Sequence, residues 1–539
     1  MENDIIFDYI VVGSGPSGAI SALTLLESNS RVLMLDVGNI DEKYSALVPN
    51  ADFENIRKTV QNQGRFFLGD DFEAIPKEGV KVGAQLSPSR KAMIKDVEKL
   101  IPFISDNFTP MESLGLGGLG AGWGLGSYVY SKEELLKVGL PQTEMMYSYQ
   151  KVADYIGISG GNNDIKPYVL GNLQNIQSAI KVDNSIDKMF QKYYKNKRYF
   201  NNNRMYFGAA AMAILTQDKG NRKATSYSDM DFYTDNEKSA YRPQFTIEDL
   251  KKNKNFKYIS GQLVISFKEN ENFIEVSSID LKNELKRTFK ARKLILASGN
   301  LGTARIVMRS LPKIEKLPLL SNPYSYLPGI NLSMLGKKLK AKKSSMAQAM
   351  MIYDPNGKND DFVSLAFYTY QSLMLFRLIK ESPLNFADNR TLFQYLQSSF
   401  VIAGIHHPDY ASENKFLELK TNEKSISKDI LFANYSLSEG EKSNIIERER
   451  ILKKAIRKLG VIPIKSINPG AGSSIHYGGS IPFSELNELG KQNADGLING
   501  TRSIYVADSS GFNFLPAKGV TLSIMANAHR ICTKLINNE

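Results

Sequence analysis

Residues 8–38, "DYIVVGSGPSGAISALTLLESNSRVLMLDVG", constrain the fold more than any other stretch of this chain. "YIVVG" is uncharged, β-branched and aromatic, the pattern of a short buried strand. Gly13, Gly15 and Gly18 follow in G-x-G-x-x-G spacing, then a helical segment "AISALTLLES", then a second strand "RVLMLD". Gly13 permits a tight turn, Gly15 lets backbone approach a pyrophosphate, and Gly18 lets helix pack closely on strand. Ser14 sits inside the same turn. The helix start offers free N–H groups and a partial positive charge to phosphates. Asp36 closes the second strand, placed to accept hydrogen bonds from a ribose. The glycine spacing alone is weak; strand, glycines, helix, strand and acid in register point to a dinucleotide site.

In an NAD enzyme the alternation of strands and helices continues directly. Here "NIDEKYSALVPNADFENIRK" breaks it at once. It resumes at "RTFKARKLILASGNLGTARIVMRS" (287–310), where a strand runs into Gly299 and a helix follows. A third piece closes the chain: "SIYVAD" ends on Asp508, a Gly/Pro loop follows, and a helix begins near Thr521. Separated segments returning to one nucleotide-binding fold are the arrangement expected for FAD, whose ribityl and isoalloxazine parts need further backbone contacts.

Bulk properties set the frame. A chain of 539 residues is too long for one compact core, so two domains or one large elaborated unit are expected. Its one cysteine, Cys532, excludes a disulfide framework and a multi-cysteine metal site and fits a reducing compartment. No basic-then-apolar leader precedes the first strand, so a cytoplasmic location is expected. The net charge of +12 comes without a zinc knuckle, an RNP-like aromatic pair or a helix-turn-helix, so nucleic acid is not an expected partner. A basic surface, a phosphate-bearing substrate or an anionic membrane remain. The run "FVSLAFYTYQSLMLF" (362–376) is uncharged but too short to span a bilayer; with the basic "GKKLKAKK" (336–343) upstream it suits peripheral membrane or lipid-linked contact, or else a buried element beside solvated lysines.

Only four histidines occur, and one, His476, stands in "GAGSSIHYGGSIPF" among glycines and serines. The chain resembles the glucose–methanol–choline (GMC) family of FAD-dependent oxidoreductases. The likeness rests on the N-terminal fingerprint, "ESLGLGGLGAGWGLGSYVYS" (112–131), "KLILASGNLGTARIVMRS", and the tail from His476 to Ile531. Within the family it looks most like the pyranose oxidase and polysaccharide-pathway branch, which also carries a tryptophan five residues after the second glycine, as Trp123 follows Gly118.

The resemblance implies an α/β fold: a Rossmann-like FAD-binding domain from discontinuous segments (1–40, 109–160, 201–312 and 466–539) and an α+β substrate domain with an antiparallel sheet (41–108, 161–200 and 313–465). It adds Gly117, Gly118, Trp123, Gly124 and Val264 to Gly13, Ser14, Gly15, Gly18, Asp36, Gly299, Asp508 and Thr521 as cofactor contacts. It implies that His476 faces the reactive edge of the flavin as the base that removes a hydroxyl proton, with the surrounding glycines letting backbone lie near the ring. Histidine suits that work near neutrality.

Two departures stand out. Where pyranose oxidases place a flavin-linked histidine this chain has Gly122, so FAD is expected to be noncovalent. Where the family places an asparagine or histidine at the start of the last helix, seven residues before Ala526, this chain has Gly519. Lys518, Asn513 or a substrate-domain residue would have to replace it. Among the remaining histidines, His406 and His407 read chiefly as surface or packing residues, with access to the pocket as the other option, and His529 as structural. No metal site is expected. The expected function is FAD-dependent oxidation of an alcohol on a sugar, glycoside or sugar nucleotide, with the electron acceptor open. The alternatives are a flavin-containing lyase, an oxidise-and-re-reduce isomerase, or a non-catalytic flavin-binding protein.

Overall fold

The computed structural model describes residues 5–72, 87–227, 235, 237–337, 346–369 and 382–538. The protein is a mixed α/β protein with a mixed parallel and antiparallel sheet and a separate antiparallel half-barrel.

The first sheet grows from the segment that the glycine spacing marks. β1 (Ile6–Val12) leads through Gly13 into α1 (Pro16–Leu25), whose proline stands at the helix start, and on to β2 (Val32–Leu35). All four residues of β2 are buried, as in a parallel strand covered on both faces. The covering layers follow the two-residue period of a strand. Tyr9, Val11, Val32 and Met34 pack toward α1 and the C-terminal helix Thr521–Asn537. Ile10, Val12, Leu33 and Leu35 pack with Leu301, Ala304 and Val307 of helix Asn300–Ser310 on the opposite side.

The distant segments return to this sheet. Phe256–Ile259 pairs parallel with β2. Residues 290–296, the second half of strand Leu285–Leu296, pair parallel with β1, and Ile504–Val506 adds beyond them, also parallel. The first half of Leu285–Leu296 instead pairs antiparallel with Ile274–Asp280, which pairs with Gln262–Glu269 across a bulge between Val264 and Ser266. One long strand therefore serves a parallel core at one end and an antiparallel meander at the other.

The half-barrel runs, in spatial order, Val461–Pro463, Tyr324–Asn331, Phe400–His406, Val363–Tyr368, Ala349–Tyr353, Met205–Ala209, every pairing antiparallel. Met205–Ala209 pairs here although the sequence boundaries group it with the nucleotide-type segments. Alternation again divides the faces. Val363, Leu365, Phe367, Val401, Ala403 and Ile405 pack on Ile186, Met189, Leu452 and Ala455 of helices Asn184–Lys195 and Glu439–Lys458. Ser364, Ala366, Tyr368 and His406 face the other way, into a cavity.

Among the described residues no helix is long and apolar enough to cross a membrane. Within the apolar run 362–376, Val363–Tyr368 is a half-barrel strand; residues 370–376 and the lysines of 338–343 lie outside the described residues.

Candidate functional site

A cavity of about 520 Å³ lies between the carboxyl ends of the parallel strands and the inner face of the half-barrel. This is where open α/β sheets bind ligands, because neighbouring loops diverge there.

At the sheet end, Gly13 turns at φ +96°, and an added Cβ would stand 2.8 Å from the Ala297 carbonyl oxygen. A Cβ on Gly18 would stand 1.9 Å from the Gly13 oxygen, so Gly18 serves helix–turn packing rather than the cavity wall. Gly15 is different: nothing lies within 4 Å of its Cβ position. It opens on the cavity at the N-terminus of α1. Gly299 is open in the same way at φ +77°, just before helix Asn300–Ser310. Beside it the Asn300 side-chain nitrogen is buried without a hydrogen-bond partner among the described residues, a donor with an unmet need.

Ser14 ties these turns together. Its hydroxyl donates to Asp36 Oδ2 and accepts from the Gly117 N–H at 2.9 Å. Gly117 stands behind the wall, while Gly118 packs against Gly15, where an added Cβ would come within 3.2 Å of the Gly15 Cα. Tyr258 donates to the same Asp36 oxygen at 3.1 Å. Burial pushes the Asp36 carboxyl up to about 6 although both donors oppose it. Asp508 is likewise buried and raised; it accepts from Thr303 Oγ1 at 2.6 Å and from Ser510. Trp123 lines the wall between Gly122 and Gly124, its indole N–H donating to the Tyr241 carbonyl at 2.9 Å. Val264 and Thr521 also line the cavity.

At the far end stands His476. Ile475 before it holds φ +60°, an uncommon conformation for a β-branched residue that costs on the order of 1–3 kcal/mol. The strained turn aims the imidazole into the cavity. Burial holds His476 down at about 4, so the ring is neutral near pH 7. Its Nδ1 lies 3.1 Å from Asn322 Oδ1. The glycines around His476 do not serve the cavity as expected. Added Cβ atoms at Gly472, Gly478 and Gly479 would meet the Thr109 oxygen at 2.4 Å, the Ser509 oxygen at 3.0 Å and Leu320 at 2.8 Å. They let protein segments approach one another.

His406 also lines this end, stacked on His476 with ring centroids 5.0 Å apart and planes 22° apart. The packing role expected for the histidine doublet therefore fits His407 alone, which is buried 3.8 Å from Glu449. His529 is buried on the last helix beside Ser148, at 3.0 Å. Gly519 lines the cavity, and an added Cβ would stand 3.3 Å from the Gly126 oxygen and 3.6 Å from the Tyr128 ring.

Lys518 and Asn513 are not brought to the site. The Lys518 ammonium is buried 2.6 Å from Glu134 Oε2, and the Asn513 amide donates to the Phe483 carbonyl at 2.9 Å. Sequence reasoning missed Asn322, Asn300 and Tyr258: Asn300 stands inside "KLILASGNLGTARIVMRS", next to Gly299, but was passed over, while no motif surrounds Asn322 or Tyr258 and only the fold places them. Among the described residues no cluster of three or more histidine, cysteine or acidic side chains is arranged to hold a metal ion.

The site thus joins an open glycine turn at two helix N-termini, two buried carboxyls and a neutral imidazole in one cavity. No family model matches the chain, and no curated protein matches it.

Proposed function

We propose that the protein is a noncovalent FAD-dependent oxidoreductase of the GMC type that oxidises a hydroxyl of a sugar or glycoside to a carbonyl. One observation carries the reading: a dinucleotide-type turn and a neutral histidine open into the same cavity from its two ends. The residues present fit FAD. Gly15 and Gly299 leave room where side chains would intrude, and Asn300 offers a buried donor without a partner. Ser14, Gly15 and the start of α1 would hold the pyrophosphate, Asp36 a ribose, and Gly299, Asp508 and the start of the last helix the remainder. Gly122 provides no atom for a covalent link.

Bound there, FAD would supply a hydride acceptor; the protein supplies position and proton transfer. His476, neutral and facing the cavity, takes the hydroxyl proton of the substrate. His406, also held well below its ordinary range, chiefly by burial, stays neutral and offers a ring N–H to the same oxygen. It takes the place left vacant at Gly519 by donating from the half-barrel instead of the last helix. Among the described residues, the charged groups that line the cavity belong to its sheet end and its flanks, where Arg305 is bidentate on Glu112 and Arg309 on Asp429. The half-barrel wall offers Tyr324, Tyr326 and Tyr368, suited to a neutral polyol or sugar ring.

The test is absorbance. Purified protein should be yellow, release flavin to the supernatant on heat denaturation, and bleach anaerobically with a suitable sugar or glycoside. Product analysis then separates net oxidation from lyase or isomerase chemistry. Protein that neither carries nor takes up FAD would end the proposal.

A further inference from the structure

Asn322 and His476 face each other across a short antiparallel ladder, Leu320–Ser321 with Tyr477–Gly478, whose register brings position 322 opposite position 476. Asn322 is buried, and its two side-chain ends have different surroundings. The Nδ2 end lies 2.8 Å from the His407 carbonyl oxygen, 3.1 Å from that of Pro516 and 3.2 Å from that of Leu515. Carbonyls only accept, so this end must be the amide nitrogen; turning the amide over would set oxygen against three oxygens. The other end is therefore the amide oxygen, and an amide oxygen also only accepts. His476 Nδ1, 3.1 Å away, must carry the hydrogen.

We infer that Asn322 is a positioning residue that fixes His476 as its Nδ1–H tautomer, leaving Nε2 as the unprotonated atom. No hydrogen bond engages Nε2 among the described residues, and the ring lines the cavity. A neutral imidazole in water favours the hydrogen on Nε2, which would leave a base with nothing to accept through; three backbone carbonyls reverse that preference through one side chain. The same residue clasps His407, Leu515 and Pro516, so the tautomer is tied to the docking of the half-barrel on the C-terminal segment. The tautomer assignment stands on geometry, while its catalytic meaning rests on the function proposed above.

Nitrogen-15 NMR of histidine-labelled protein tests the inference. The chain has four histidines, and His476→Gln identifies the relevant signals. In the wild type near neutral pH, His476 should show a protonated Nδ1 and an unprotonated Nε2. Asn322→Leu removes the acceptor and should convert the ring to a mixture or to the Nε2–H form. An Nε2–H or doubly protonated His476 in the wild type overturns the inference, as does an unchanged tautomer in Asn322→Leu. Should the leucine variant fail to fold, the wild-type spectrum decides alone. The readout needs no turnover, so failure of the flavin proposal and failure of this one are distinguishable.

Discussion

The imidazoles of His406 and His476 lie 5.0 Å apart with planes 22° from parallel, one carried by the last residue of a half-barrel strand and the other by a strained turn. Both open on one cavity. Under the proposed function the two share the substrate oxygen. His476→Ala should retain FAD and slow anaerobic flavin reduction by roughly 10²–10⁴-fold, the worth of a positioned base. His406→Ala should cost about 10²-fold, as for loss of one donor to a developing oxyanion. Stopped-flow traces of both variants decide it; a His406 variant with wild-type reduction would return that ring to packing.

Gly519 makes a separate prediction. A methyl there requires the Gly126 oxygen, 3.3 Å away, to yield slightly, and anything longer must extend over the Tyr128 ring. Gly519→Ala should keep both flavin and turnover. Gly519→Asn should keep flavin but raise KM for the native substrate, because its amide fills cavity space that His406 makes unnecessary as a donor. Normal steady-state kinetics in the asparagine variant would show that the space is unused.

The division between what was legible and what was not follows the range of the interactions. The turn at Gly13–Gly18 is local: a φ of +96° at Gly13 and a Gly13 oxygen 1.9 Å from the Cβ position of Gly18 demand glycine whatever surrounds them. The strands "YIVV" and "VLML" announce themselves because both of their faces are buried. His406 does not. Its doublet with His407 gives no sign which ring faces the cavity; strand alternation decides that, and only once Phe400–His406 is paired with Tyr324–Asn331. Lys518, which the sequence offers as a replacement for the donor missing at Gly519, is instead held by Glu134, far away in sequence. Asn322 has no local pattern at all.

Acid sensitivity follows from burial. His476 and His529 are both held at about 4, from an ordinary 6.5. Between those values the unfolded chain binds protons that the folded protein refuses. Their contribution is therefore intact above about pH 6.5 and is lost as pH falls toward 4, by at most about 1.4 kcal/mol per pH unit for each ring. Asp36 and Asp409, raised to about 6 by burial, act in the opposite sense over the range from 3.8 to 6, so wild type and variant must be compared at each pH. His529→Gln should flatten the fall in urea-unfolding stability between pH 6.5 and 4.5. Parallel curves would mean that His529 titrates normally in the folded protein.

The buried pair Lys518–Glu134 should behave as a structural lock rather than a substrate contact. Both side chains are nearly inaccessible, 2.6 Å apart, and Glu134 also completes the capping box of helix Lys132–Val138 through Ser131. Removing one partner strands a buried charge, which costs about 3–5 kcal/mol. Lys518→Met should lose that much in equilibrium unfolding, and Lys518→Met with Glu134→Gln should recover part of it. A single variant within about 1 kcal/mol of wild type would contradict the lock.

Gly15 and Gly18 offer the cleanest separation of fold from ligand, because three residues apart they answer to different neighbours. Gly18 has the Gly13 oxygen 1.9 Å from its Cβ position and Ala297 at 3.5 Å, so Gly18→Ala must push α1 off the sheet. Its effect should be on stability, read as a lower urea midpoint whether or not flavin is present. Gly15 has nothing within 4 Å of its Cβ position and an ordinary negative φ of −61°, so a Cβ there strains no backbone and meets no neighbouring segment. The added carbons would instead occupy the space at the start of α1 where a pyrophosphate would lie. Gly15→Val should therefore unfold at the same urea concentration as the wild-type apoprotein while losing FAD, measured as flavin absorbance per protein after gel filtration. A valine variant that keeps its full complement of flavin would mean that no phosphate comes to this turn, and the cofactor assignment would have to be withdrawn from the very feature that first suggested it.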